Sequence, residues 1–374
     1  MARIERLEAF HRSDPDNPVL AGELIDALLA EGRVEQAEKT FGSFSAPVRA
    51  DPLLRFREAR CALLNGRLPK AAEILEALEH TSAEGPVLRH DLAFVQLMMG
   101  KIDDASRTLA PALDDPSAPA AIYVLQARLL HWRGDYAGGL LAIDRALARS
   151  PQDVDAQGVR SLLLLDQGDR DAAREAAKAA TSQGEKQPEA GIVLGTLALW
   201  EQAPNEAEAF FVTVLAQQPQ SGRALLGLGQ VHLLRGNLDV ARDALERAVA
   251  NMPNHIGSWH ALAWCQLLAG DLVSAQSSYE KALALDRTFG ETHGGLAILH
   301  ALRGEILGAE EEIKRARKLD PNGRSAVYAR ALLYLAKGRD EEARRLVAPL
   351  LGKMANREDP LEILKRLRER MQDK

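Results

Sequence analysis

Glycine returns at fixed intervals in this chain. Gly32, Gly66, Gly100, Gly134, Gly168, Gly236, Gly270, Gly304 and Gly338 fall on one 34-residue lattice, and the single remaining node is Gln202. Five residues downstream, a second lattice holds Ala37, Ala71, Ala105, Ala173, Ala207, Ala241, Ala275, Ala309 and Ala343, with Gly139 at the other node. Two small-residue lattices kept in one phase, with no insertion over ten periods, require stacked copies of one supersecondary unit. A chain spent on such copies leaves no fold-sized segment for a separate catalytic domain, so an enzyme is not expected.

The clearest copy runs from Gly222 to His255. Leu225, Leu228, Gly229 and His232 lie at i, i+3, i+4 and i+7, one face of a first helix. Gly236 ends that helix, because glycine enters the left-handed region at little steric cost. Asn237 or Asp239 can cap the second helix. Its inward stripe is Ala241, Leu245 and Ala248, and Pro253 stops it. The next copy, Ile256 to Phe289, repeats the plan with Trp259, Leu262, Ala263, Gly270, Ala275, Tyr279 and Ala282. The small residues sit where the two helices approach closely and a larger side chain would overpack them.

These residues resemble the tetratricopeptide repeat. That repeat has a large residue at position 4, Leu at 7, a small residue at 8, Gly at 15, Ala at 20, an aromatic at 24, Ala at 27 and Pro at 32. The similarity covers residues 18–357 and is strongest over 222–323. It implies an all-α fold, a right-handed superhelical solenoid of about ten 34-residue helix-turn-helix repeats with terminal capping helices. The repeats start at 18, 52, 86, 120, 154, 188, 222, 256, 290 and 324; residues 1–17 read as an N-terminal capping half repeat and 358–374 as a C-terminal capping helix. Some nodes depart from the pattern. Ile25 and Ser161 break the rule at position 8, and proline occupies position 32 only at Pro151, Pro219, Pro253 and Pro321. Glu185, Gln202 and Ala203-Pro204-Asn205 together predict an irregularity or hinge over 182–206.

The formal charge of −6 does not favour nucleic acid, which needs a basic face. Residues 1–20 carry no apolar leader, and no run of eighteen apolar residues exists, so no membrane span is expected. Cys61 and Cys265 share one repeat position six periods apart and read as buried, reduced thiols. A cytoplasmic address follows, unless the chain is part of a larger envelope protein. Gly227-Leu228-Gly229 starts like a dinucleotide fingerprint, but His232 stands where the third glycine belongs. Asp153, Asp155, Gln157 and Gly158 imitate a calcium loop, but Leu164 replaces its closing glutamate. No two of the nine histidines are paired at i and i+4; His232 and His300 fall on a packing node, and Trp259 on the large-residue node. Neither a metal nor any other cofactor is expected.

The resemblance places positions 2, 5, 9, 12 and 13 of each first helix on a concave groove. Leucine holds position 12 in eight of ten repeats, a structural pattern. The informative residues are Phe56, His90, His260 and Tyr328 at position 5, and Arg60, Phe94, Arg128, Gln230 and Trp264 at position 9. Trp132 and Trp200 stand at position 13 beside His131 at position 12. Apolar side chains exposed on such a wall mark an interaction surface. The function expected is a protein-interaction scaffold or adaptor holding a partner peptide or helix in the groove, anchored by Phe94, Trp132, Trp200 and Trp264. The carboxylate clamp of some family members needs Lys or Arg with Asn at these nodes, and only Arg60 and Arg128 come near it. One alternative is an accessory subunit of a bacterial secretion or surface-polysaccharide assembly, with self-association through the terminal repeats. Another is an RNA-binding helical repeat, opposed by the phase and the acidic balance.

Overall fold

The protein is described by a computed structural model covering residues 2–79, 81, 85–182, 184, 186–351 and 365. Among the described residues every regular element is helical. The chain forms two compact units, Met1–Ala190 and Gly191–Lys374. The first contains α1 (Ala2–Ser13), α2 (Pro18–Ala30), α3 (Val34–Ser43), α4 (Ala46–Arg49), α5 (Pro52–Leu64), α6 (Leu68–Ala77), α7 (Pro86–Met98) and α8 (Ile102–Leu113). It continues with α9 (Ala120–Trp132), α10 (Tyr136–Arg149), α11 (Val154–Gln167), α12 (Arg170–Thr181) and the start of α13 (Pro188–Trp200). The second holds the rest of α13, then α14 (Pro204–Gln217), α15 (Gly222–Leu234), α16 (Leu238–Asn251), α17 (Ile256–Leu268) and α18 (Leu272–Leu285). It ends with α19 (Gly290–Leu302), α20 (Ile306–Leu319), α21 (Arg324–Ala336) and α22 (Asp340–Leu351). The fold class is that of the tetratricopeptide solenoid: tandem helix-turn-helix pairs.

One turn recurs inside every pair. The lattice glycine takes a positive φ (Gly236, 76°), and the next residue donates its N–H six-to-one, as from Asn237 to the His232 carbonyl at 2.9 Å. This Schellman geometry satisfies carbonyls that the first helix would otherwise leave unpaired. The same bond joins Arg33 to Leu28, Lys101 to Gln96, Asp169 to Leu164 and Arg339 to Tyr334, at 2.8–2.9 Å. Asp135, Asp169 and Asp271 then cap the second helix, accepting the N–H of Gly138, Ala172 and Ser274. Asn237 holds the cap position without a capping side-chain bond.

The vacant lattice node keeps the same geometry. Gln202 is the non-glycine residue with positive φ (60°) among the described residues, and Ala203 donates to Ala198 at 2.9 Å. The irregularity expected over 182–206 is therefore not in this turn. The division between the two units, at Ala190, does fall within that interval. Glu185 lies outside the described residues, as does the expected C-terminal capping helix apart from Lys365, whose ammonium is 3.4 Å from Asp340.

Small residues form the seams of each core. Ala37, Ala71 and Ala105 are fully buried in the first unit, and Ala241, Ala275, Ala309 and Ala343 in the second. Tyr279 and Phe211 fill the large-residue sites of the second unit. Ile4 and Leu7 of α1 pack on α2 and α3, whereas Phe10 is exposed. Successive pairs are also stitched at their outer edge by a polar contact spanning 27 residues. Asn65 donates to Glu38 (2.9 Å), Arg235 to Glu208 (2.7 Å) and Arg303 to Gln276 (2.7 Å), while Lys337 faces Glu310 (3.6 Å). Such exposed contacts each contribute little to stability, but they fix register.

Replacing Gln202 by glycine should stabilise the protein by about 1 kcal/mol, because an L-residue in the left-handed region carries a steric cost; urea unfolding midpoints measure it. A second expectation concerns Cys61, whose thiol is pushed up to about 11 by burial, with Glu38 and Glu58 adding to the effect. An unfolded thiol ionises near 8.5. Between the two values the unfolded chain binds fewer protons, so stability falls as pH rises. Urea midpoints at about pH 8 and pH 10.5 should therefore drop more steeply in wild type than in Cys61→Ala.

Candidate protein-interaction surface

In the first unit, positions 5, 9 and 13 of successive first helices lie one turn apart and share one helix face. Arg60 of α5, His90 and Phe94 of α7, and Arg128 of α9 converge on a hollow of about 280 Å³. Leu63, Leu64 and Val124 supply its apolar lining, and Asp91, Asp153 and Asp155 its carboxylates. The His90 ring stacks on Phe94 with centroids 6.4 Å apart, and its Nδ1 lies 2.9 Å from Asp91. Arg60 reaches the other oxygen of Asp91 at 3.7 Å. Phe56 is half-buried against the core beside the hollow.

Arg128 is committed within the unit. Its Nε and Nη2 both donate to Glu189 Oε1, at 3.0 and 2.8 Å, and Gln187 Nε2 donates to Oε2 at 2.6 Å. Burial opposes ionisation of Glu189, yet the Arg128 guanidinium and these hydrogen bonds hold its carboxyl below the usual range. One turn along α9, His131 Nε2 meets Asp166 Oδ2 at 2.6 Å, and Trp132 projects into solvent.

The second unit treats its aromatic residues differently. Trp264 of α17 packs on Tyr328 of α21 with ring centroids 6.0 Å apart. His260 meets Tyr279 and Phe289 edge-on at 5.5 and 6.1 Å, and burial pushes its pKa down. Trp200 and Gln230 are exposed. Trp259, expected in the core, is half-buried and donates Nε1 to the Pro253 carbonyl at 2.8 Å. Among the described residues, no three His, Cys, Asp or Glu side chains converge to hold a metal ion.

Family models of the tetratricopeptide repeat match residues 62–129, 198–265 and 266–333, with further matches over 23–86 and 154–179. The chain belongs to the tetratricopeptide repeat family. No curated protein matches it. Solved structures of similar fold include a monomeric IFIT1 mutant with Gppp-AAAA, at 15% identity over 96% of this chain and 90% of that one, TM-score 0.55. The human IFIT1 dimer with m7Gppp-AAAA is 17% identical over 94% and 89%, TM-score 0.54. The APC/C hetero-tetramer Cut9–Hcn1 is 14% identical over 97% and 92%, TM-score 0.50. At these identities the likeness is one of fold.

Within this tetratricopeptide array, contacts among the described residues skip a repeat in two places noted above, and sequence reasoning missed both. Arg128 and Glu189 meet past α11, and Trp264 and Tyr328 meet past α19. In each case position 5 of the intervening first helix is glycine: Gly158 and Gly294. A Cβ on Gly158 would lie 2.0 Å from the Gln187 amide carbon, and one on Gly294 would lie 2.7 Å from the Ala326 backbone nitrogen. The available signal was a glycine on a node that, Gly22 of the first repeat apart, is held elsewhere by Phe, His, Val, Ile, Leu or Tyr.

Gly294→Val should destabilise the protein by about 1–3 kcal/mol, since the clash is with backbone. Gly42→Ala, an exposed helical glycine with open space around its Cα, should instead stabilise by about 0.5–1 kcal/mol. Opposite shifts in urea midpoint would establish that space, not glycine content, sets the cost.

Proposed function

We propose that this protein is a non-catalytic interaction scaffold that holds a segment of a partner protein along the first-helix wall of its N-terminal unit. One observation carries the reading. Three consecutive repeats present a large apolar side chain to solvent at position 13: Leu64 (59% exposed), Met98 (57%) and Trp132 (67%). Packing does not account for such a row, and it runs beside the hollow that contains Phe94. Each anchor that becomes buried contributes roughly 1.5–3 kcal/mol. After the costs of ordering and association, three anchors support about micromolar affinity.

The IFIT1 structures contain Gppp-AAAA or m7Gppp-AAAA. A phosphate-bearing ligand on this wall would meet Asp91, Asp153 and Asp155, so a protein segment is the better match here. Steeply salt-dependent binding to single-stranded RNA would oppose that reading. Two buried thiols and the lack, among the described residues, of a helix long and apolar enough to cross a membrane fit the cytoplasmic address.

A second reading, a structural subunit of a larger assembly, is favoured by Val273 (78% exposed) and Leu307 (80%), which open the second helices α18 and α20 to solvent. Concentration-dependent sedimentation that disappears in Val273→Ser/Leu307→Ser would support it.

For the scaffold, the triple variant Leu64→Ser, Met98→Ser, Trp132→Ala should keep its helicity and melting temperature, because all three side chains are exposed. Proteins cross-linked to wild type in its own cells should be lost from the variant, and equal recovery would reject the groove.

A further inference from the structure

The ion pairs around the hollow decide the charge of what can enter it. Arg60 lies against Asp91, which also faces His90 Nδ1. Arg128 is held by Glu189 in a two-pronged contact. The Arg128 guanidinium is committed to Glu189, whereas Arg60, half-exposed, meets Asp91 only through Nε at 3.7 Å. The balance lies with Asp153 and Asp155. Asp153 accepts the Ala156 N–H at 2.9 Å as the cap of α11, and Asp155, two residues further on, is exposed. Among the described residues neither has an ion-pair partner. These carboxylates line the same hollow as Arg60 and Arg128 and the apolar Leu63, Leu64, Phe94 and Val124.

Resting on the scaffold reading above, we infer that the partner segment carries a lysine or arginine flanked by large apolar side chains. The cation enters beside Asp155 and Asp153, and the apolar neighbours lie on Leu64, Met98 and Trp132. A carboxylate in the same place would meet two carboxylates that have no ion-pair partner, and could take Arg128 only by displacing Glu189. The exposed indole of Trp132 also provides a face on which a guanidinium or alkyl-ammonium stem can lie. This charge preference is the reverse of the carboxylate clamp built from lysines and asparagines.

The test uses short random peptides displayed on phage and selected against the whole chain in three forms. These are wild type, Asp155→Asn, and the triple variant at Leu64, Met98 and Trp132. Asp153 is left intact because it caps α11. Wild type should enrich peptides with one basic residue next to large apolar ones. Synthetic versions of those peptides should bind Asp155→Asn about fivefold more weakly, the upper range for a partly exposed ion pair, and lose affinity with added salt. Asp155→Glu should restore the preference. Enrichment of acidic or uncharged peptides that still require Leu64, Met98 and Trp132, or an unchanged affinity in Asp155→Asn, would overturn the cation and leave the scaffold reading standing. Enrichment that the triple variant retains in full, or no enrichment at all, would remove the groove itself and this inference with it.

Discussion

The reversal between paired helices, a glycine in the left-handed region followed by a six-to-one hydrogen bond, is the interaction on which the rest of the structure depends. It ends each first helix and starts each second helix two residues beyond the lattice node, as at Leu238 after Gly236. The two fully buried small-residue seams can then meet only in one register. Because the turn recurs at every lattice node with near-identical bond lengths, the first helices of neighbouring pairs present corresponding residues to the same side. The hollow between α5 and α11 is a product of that phase. None of its residues has a local reason to be near the others.

Charge is handled within each unit before any partner arrives. Arg57 is bound by Asp26, Arg60 by Asp91, Arg128 by Glu189 and His131 by Asp166, each pair joining two different first helices. Those pairs leave the wall with few unsatisfied cations, and they make its apolar row the feature that faces water. In the second unit the corresponding positions are closed by ring packing: Trp264 on Tyr328, and His260 against Tyr279 and Phe289. One repeat plan thus closes positions 5 and 9 by ring packing in part of the second unit, while position 13 stays open there at Trp200 and Leu234.

The turns and seams were legible in the sequence because each is a local demand on one residue. Glycine at position 15 answers a backbone angle, and alanine at position 20 answers a distance between two helices. Gln202 shows the limit of that logic, since the surrounding bonds impose the left-handed angle on a residue that does not favour it. The extra turn α4, with buried Val48, had no counterpart in the periodic pattern. The groove residues could be ranked by position, but not their engagement. Whether Trp264 is an open anchor depends on what Gly294 lacks, a side chain on the helix between the two rings. Asp91 was missed for a related reason: it sits one residue past the position-5 node, where the lattice gives it no role.

A linear array in which each module touches only its neighbours can fray one module at a time from either end. The glycines at 158 and 294 alter that behaviour. By letting Arg128 grip Glu189, and Trp264 grip Tyr328, they tie modules that are second neighbours, so loosening the one in between also strips a contact shared by the modules flanking it. In the second unit the modules starting at 256, 290 and 324 therefore form a block that melts together, more sharply than a chain of independent links would.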